Sequence, residues 1–333
     1  MRILVLGGTV FLGRHVAAAA LARGHDLTLF TRGRHGAGLF DEATHLRGDR
    51  GGELSALRHG EWDVVLDTSG YAPTDVAASA GLLADRAGHY VFVSSVNAHP
   101  GWPEEPVDEG SPTWQDDAVD DYGAQKAASE RAAEAAMPGR VTSVRAGLLA
   151  GPHDAMGRLA WWIERIARGG EVLAPGDPGT AVQLVDARDL AAWMLDAGGR
   201  GVAGAFCATA PAGGTTMRDV LESAIAATGS DARLVWAPDA LLRDAGLEPW
   251  TELPLWMPQD EFPGTWRVGT ERAETAGLRC RPIAETVADT WTWLRAGGAE
   301  EAAAQDAPHR ARGLDPAREA EVLRGIALRL TDA

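Results

Sequence analysis

Hydrophobic positions along the chain fall into short continuous runs, separated by longer stretches of helical composition. Arg2-Ile3-Leu4-Val5-Leu6 is a run of the buried-strand type. It ends at once in Gly7-Gly8-Thr9-Val10-Phe11-Leu12-Gly13, and residues 14–23 read as an Ala-rich helix. Further strands are predicted at 25–31, 61–67, 89–93, 141–149 and 202–209, and further helices at 74–88, 124–136, 158–165 and 215–227. Residues 183–190 are expected to return to the sheet and begin another helix. Strands that alternate with helices in this way predict an α/β fold built on a doubly wound parallel sheet.

After Leu234-Val235-Trp236 the pattern loosens. Trp250, Trp256 and Trp266 are spaced among Pro249, Pro254, Pro258 and Pro263, which predicts a smaller, irregular C-terminal lobe for a substrate. The expected division is a dinucleotide-binding domain over residues 1–150, with 180–230 returning to it, and a substrate lobe over 151–179 and 231–295. Residues 296–333 would be a linker and a terminal helix, capped by Asp315 with Pro316 at its first position and docking through Val322, Leu323, Ile326 and Leu330.

Composition narrows the function classes. The 333 residues are 45% hydrophobic and 23% charged, as in a soluble globular protein. No apolar run approaches the roughly 18 residues of a membrane span. A net charge of −16 and a pI of about 5.0 argue against nucleic-acid backbone binding and suit a cytoplasmic protein. Cys207 and Cys280 lie far apart and the nine histidines form no HExxH-like pattern, so neither a disulfide framework nor a metal is expected.

The chemistry starts at the glycine turn. Strand, glycine turn and helix make a phosphate cradle, in which free N–H groups of the helix's first turn face a pyrophosphate. Arg14 and His15 follow the last glycine where a P-loop needs Lys and Ser or Thr, which excludes that reading. The glycines and Arg14 also interrupt any secretory h-region. Gly7, Gly8, Thr9, Phe11, Leu12 and Gly13 are therefore candidate cofactor contacts, joined by Asp49 and by Asp67, Ser69 and Gly70, the last three at a strand's carboxyl end. Arg32 and Arg34 stand where an NAD site carries an acid, so NADP is favoured over NAD.

A long acidic and Pro-rich loop, 97–121, leads into Tyr122-Gly123-Ala124-Gln125-Lys126. Tyr122 and Lys126 share a helical face if the helix begins by Tyr122. A phenol titrates near 10, and an ammonium one turn away stabilises its phenolate. Ser95, at the end of a strand, would hydrogen-bond the substrate oxygen.

Taken together, the chain resembles an extended short-chain dehydrogenase/reductase, of the NAD-dependent epimerase/dehydratase superfamily, over about residues 1–295. The resemblance implies a Rossmann sheet, a pyrophosphate held at Gly7, Gly8 and Gly13, and a Ser95–Tyr122–Lys126 triad with Lys126 also touching the cofactor. Ala146 and Gly147 would close over the nicotinamide. It also implies a small-molecule substrate and a homodimer. Two departures stand out: Val10 replaces the family's usual glycine, and Val96-Asn97 after Ser95 replaces the acid pair of sugar dehydratases. The glycine-turn variant also resembles a branch that includes chloroplast stem-loop RNA-binding proteins. The expected activity is NAD(P)-dependent reduction or epimerisation at a carbinol or ketone of a small metabolite. The alternatives are a non-catalytic nucleotide-binding regulator or RNA-associated protein, and a sugar-nucleotide dehydratase.

Overall fold

The computed structural model describes residues 1–36, 38–115, 121–305 and 313–331. Asp116, Asp117 and Asp120 of the acidic loop lie outside the described residues. In chain order the elements are β1 (Arg2–Leu6), α1 (Phe11–Ala22), β2 (Asp26–Thr31), β3 (Thr44–Arg47), β4 (Trp62–Asp67), α2 (Pro73–Leu83), β5 (Ala87–Ser95), α3 (Tyr122–Ala136), β6 (Val141–Ala146) and β7 (Leu148–Ala150). There follow α4 (Arg158–Ala167), β8 (Glu171–Pro175), β9 (Leu184–Asp186), α5 (Ala187–Gly199), β10 (Gly204–Ala208), α6 (Met217–Thr228), β11 (Arg233–Ala237) and α7 (Asp239–Asp244). The chain ends in α8 (Glu271–Thr275), α9 (Ile283–Trp293), α10 (Ala299–Ala303) and α11 (Pro316–Thr331).

Two compact units result. The first comprises Met1–Leu149, Val185–Pro211 and Val268–Cys280, the second Ala150–Leu184, Ala212–Arg267 and Arg281–Ala333. These boundaries differ from the expected ones: residues 180–184 stay in the second unit, and two longer segments change sides. Residues 212–230 carry α6, which packs on α4 and α9 in the second unit, while 268–280 carry α8, which packs beside β10 in the first.

The first unit is a seven-stranded parallel sheet in the order β10-β6-β5-β4-β1-β2-β3, the doubly wound fold expected. The continuous apolar run of β1 serves both faces at once, because successive strand residues point to opposite sides. Ile3 and Val5 pack with Leu12, Val16 and Ala20 of α1 and Leu190 and Met194 of α5. Leu4 and Leu6 pack on the other face with Val76, Ala80 and Leu83 of α2, Ala133 of α3, and Tyr90 and Phe92. Each Val, Leu, Ile, Met or Phe side chain among them contributes about 1.5–3 kcal/mol when fully buried. The strand order reverses between β1 and β4, where Leu6 stands opposite Asp67. In sheets of this kind that crevice, beyond the carboxyl ends, is where ligands bind.

Some elements depart from expectation. The helix predicted to Gly88 ends at Leu83, and β5 starts at Ala87. A Cβ on Gly88 would stand 2.7 Å from the Asp63 carbonyl oxygen, so this glycine allows β5 to close on β4. Leu184–Asp186 lies outside the seven-stranded sheet. Asp186 caps α5, accepting from the Arg188 N–H at 2.8 Å and pairing with its guanidinium at 2.7 Å, a structural cap and ion pair rather than part of a catalytic set. Ala299–Ala303, expected as linker, is helical. In the second unit Glu319 of α11 pairs with Arg165 at 2.6 Å and accepts from the Leu173 N–H at 3.1 Å, which docks the terminal helix on α4 and β8.

Candidate active site at the switch point

Gly7 and Gly8 turn the chain off β1 in the left-handed region, with φ of +109° and +96°, which only glycine adopts at little cost. A Cβ on Gly13 would stand 2.7 Å from the Gly8 nitrogen, so the third glycine lets α1 close on the turn. Val10, where the family has glycine, is extended at φ −128° and 40% exposed; its backbone asks nothing of a glycine. No side chain caps α1, which leaves its first-turn N–H groups to another acceptor. Phe11, the first residue of α1, sits at φ +31°, an uncommon value outside glycine. Leu12 is a core side chain, so only its backbone can serve a ligand. Thr9 is half-buried in the turn.

The neighbouring candidates spread apart. Arg32 and Arg34 are exposed past the end of β2, and Asp49 is exposed with its carboxylate accepting from the Gly51 N–H at 3.1 Å. Asp67, expected beside the cofactor, is fully buried and turned inward. It takes the Arg50 guanidinium at 2.5 and 2.8 Å, the Tyr90 hydroxyl at 2.8 Å and the Ser69 N–H at 3.1 Å. Arg50 also donates to the Ser69 and Ser79 hydroxyls. Burial alone would raise the Asp67 carboxyl, but the Arg50 charge and these hydrogen bonds hold it below its ordinary value.

Ser95, Tyr122 and Lys126 come together on the sheet's carboxyl side. α3 begins at Tyr122, capped by Asp121, whose carboxylate accepts from the Ala124 N–H at 2.7 Å. Tyr122 and Lys126 therefore stand one turn apart. Gly123 is what brings them in, since a Cβ there would lie 2.0 Å from the Asn97 carbonyl oxygen just beyond β5. Ser95 donates to the Asn97 side chain at 2.8 Å. Desolvation raises the Tyr122 phenol, Tyr71 raises it further, and a hydrogen bond with Ser95 draws it down.

Lys126 is buried and donates to the Gly70 and Val93 carbonyls at 2.7 and 2.9 Å. Its ammonium lies 5.0 Å from the centre of the Tyr71 ring, 5.1 Å from Phe92 and 5.8 Å from Tyr122. Desolvation pushes it down to about 8. Sequence reasoning passed over Tyr71. The signal was in the composition, which holds three tyrosines and only one lysine, Lys126; Tyr71, Tyr90 and Tyr122 all lie around this site.

Beneath α3 a second buried pair joins Glu130 to Arg145 at 2.8 Å, with Ser94 donating to Glu130 at 2.5 Å and Arg145 reaching His99 at 3.2 Å. Burial pushes the nearby Cys207 thiol up to about 12, which disfavours its thiolate. Ala146 is buried at the end of β6, and Gly147 lies against Thr209, which a Cβ would approach to 2.6 Å. In the second unit Trp162 is core and Trp161 packs edge-on against it at 4.7 Å. Arg158, at the start of α4, stacks on Trp250 at 4.5 Å, and Arg272, within α8, stacks on Phe206 at 4.8 Å. Among the described residues, no group of three or more His, Cys, Asp or Glu could hold a metal. No helix there is long and apolar enough to cross a membrane.

A model of the NAD dependent epimerase/dehydratase family matches residues 71–204. The enzyme WbmH of Bordetella bronchiseptica, solved in complex with NAD+, is 17% identical with a TM-score of 0.65, over 89% of this chain and 98% of that one. The UDP-glucose 4-epimerase of Thermus thermophilus, solved with NAD, is 20% identical with a TM-score of 0.60, over 89% and 99%. The chloroplast stem-loop binding protein of 41 kDa b from Arabidopsis thaliana is 26% identical over 212 residues, 59% of this chain, and the match spans 54% of that relative's length. The resemblance read from the glycine turn and the Tyr122–Lys126 pair holds: the chain shares the fold of these solved structures, and its residues 71–204 are similar to the NAD dependent epimerase/dehydratase family.

Proposed function

We propose that the protein is a nicotinamide-dinucleotide-dependent oxidoreductase acting at a carbinol or ketone carbon of a nucleotide sugar, as an epimerase ahead of a simple reductase. The observation that carries this reading is the meeting of Ser95, Tyr122 and Lys126 beyond the carboxyl ends of the strands, beside an uncapped helix start at the glycine turn. The turn suits a pyrophosphate: Gly7 and Gly8 turn the chain at positive φ, Gly13 lets α1 close on the turn, and no side chain caps the first-turn N–H groups of α1. Bound there, the dinucleotide would supply the hydride acceptor and donor. Ser95 would orient the substrate oxygen, Tyr122 would take or return its proton, and the Lys126 charge would favour the phenolate.

The nucleotide-sugar class is supported by the names of the structural neighbours. The same Val96-Asn97 pair that follows Ser95 counts against a dehydratase. A preference for NADP rests on Arg32 and Arg34, whereas the two solved neighbours carry NAD. A cytosolic homodimer completes the reading.

The test is titration of the purified protein with NAD+, NADH and NADPH by native mass spectrometry, for wild type and Arg32→Ala, followed by incubation with UDP-hexoses. Tyr122→Phe should keep cofactor binding and lose about 10²–10⁴-fold in turnover. Turnover that survives Tyr122→Phe would sink the assignment of the base. A second reading, a non-catalytic RNA-associated protein, is favoured by the match to the stem-loop binding protein. It takes over if no dinucleotide binds and an RNA stem-loop binds with steep salt dependence.

A further inference from the structure

The Lys126 ammonium has no carboxylate within ion-pair distance among the described residues, although two carboxylates stand near it. Glu130, one turn further along α3, is taken by Arg145 and Ser94. Asp67, at the end of β4, is taken by Arg50 and Tyr90. What remains to Lys126 is two neutral carbonyls and three ring faces, those of Tyr71, Phe92 and Tyr122. A cation over an aromatic face is attracted by the ring's quadrupole, more strongly where water is excluded. Phe92 is a core residue at 0% exposure, and Tyr122 belongs to the proposed chemistry. Tyr71 is 62% exposed, buries little in the core, and has the shortest ring distance of the three.

We propose that Tyr71 is a positioning residue for Lys126, its ring face helping to keep the chain's one lysine charged and directed at Tyr122, since no carboxylate among the described residues pairs with it. This rests on the catalytic reading of Lys126 and deepens it. Desolvation works against the charge and brings Lys126 down to about 8; Asp67 and Glu130 act to raise it and Arg50 to lower it, all at longer range. With the arginines holding both acids, the Tyr71 ring is the partner of Lys126 that neither the core nor the chemistry claims. The device is specific to tyrosine or phenylalanine at 71, since an aliphatic side chain would shield the amine from water without attracting the cation.

The single lysine makes the test direct. Full-length protein made with ¹³C,¹⁵N-lysine gives one side-chain signal, whose pH titration reads Lys126 alone. The wild-type midpoint is expected at about 8. Tyr71→Phe should stay close to it, and Tyr71→Leu should lower it by about one pH unit, the size of a cation–π contact at a largely desolvated site. The alkaline limb of the pH–rate profile should move down with it. An unchanged or raised midpoint in Tyr71→Leu overturns the proposal, and so does a fall in Tyr71→Phe as large as in Tyr71→Leu. The lysine titration needs no substrate, so a shifted midpoint in a protein without turnover would uphold Tyr71 and remove only the catalytic reading.

Discussion

Arg50 and Asp67 are the residues whose removal the fold should feel most. Asp67 is fully buried and Arg50 nearly so, and breaking such a pair by deleting one partner leaves an uncompensated charge in the interior. Arg50→Met is expected to cost about 3–5 kcal/mol in urea unfolding, and the Arg50→Met/Asp67→Leu double variant to recover at least half of that. A double variant as unstable as the single one would show that the hydrogen bonds to Tyr90 and Ser69, not the charge, are what matter. The pH dependence has a definite sign. The folded carboxyl of Asp67 is lowered, so its contribution is complete above its unfolded value of about 4 and is lost as pH falls through the lower folded value. Acid unfolding below about pH 4 should therefore soften in the double variant. None of this was legible beforehand: Asp67 reads as a ligand-side carboxylate in sequence, and nothing in Asp49-Arg50-Gly51 says which way the arginine turns.

At the scale of elements, the start of α3 decides the site. Tyr122 and Lys126 are set four apart by sequence, but their approach to Ser95 depends on Gly123, which packs directly on the Asn97 carbonyl. Gly123→Ala must push the helix start away from the end of β5. The expected outcome is a loss of about 1–3 kcal/mol in stability, as for overpacking, with turnover falling at least about tenfold beyond what the unfolded fraction explains. Unfolding by circular dichroism beside a kcat measurement separates the two. A variant that is destabilised yet turns over normally would detach the helix start from the chemistry. Spacing along a helix was readable in the sequence because it is local; the reason for Gly123 was not, since the atom it would strike lies on another element.

At the scale of the whole molecule, the one lysine offers a clean probe of opening. Lys126 is 4% exposed within a fifteen-residue helix that packs beside α2 on the sheet. A lysine-specific protease should leave the native protein intact over hours and cut the urea-unfolded chain once, into fragments 1–126 and 127–333, at a rate that tracks opening of the first unit. Rapid native cleavage would mean that α3 opens locally. The sequence by itself determined the alternation of strands and helices, the parallel sheet, the glycine turn and the Tyr122–Lys126 spacing, because each depends on periodicity or local backbone preference. Tertiary structure alone decided that 268–280 joins the first unit, that Asp67 and Glu130 are occupied by arginines, and that Tyr71 covers Lys126. Those outcomes depend on which side chains meet across elements distant in the chain, and on the cost of burying a charge without a partner, neither of which any local pattern encodes.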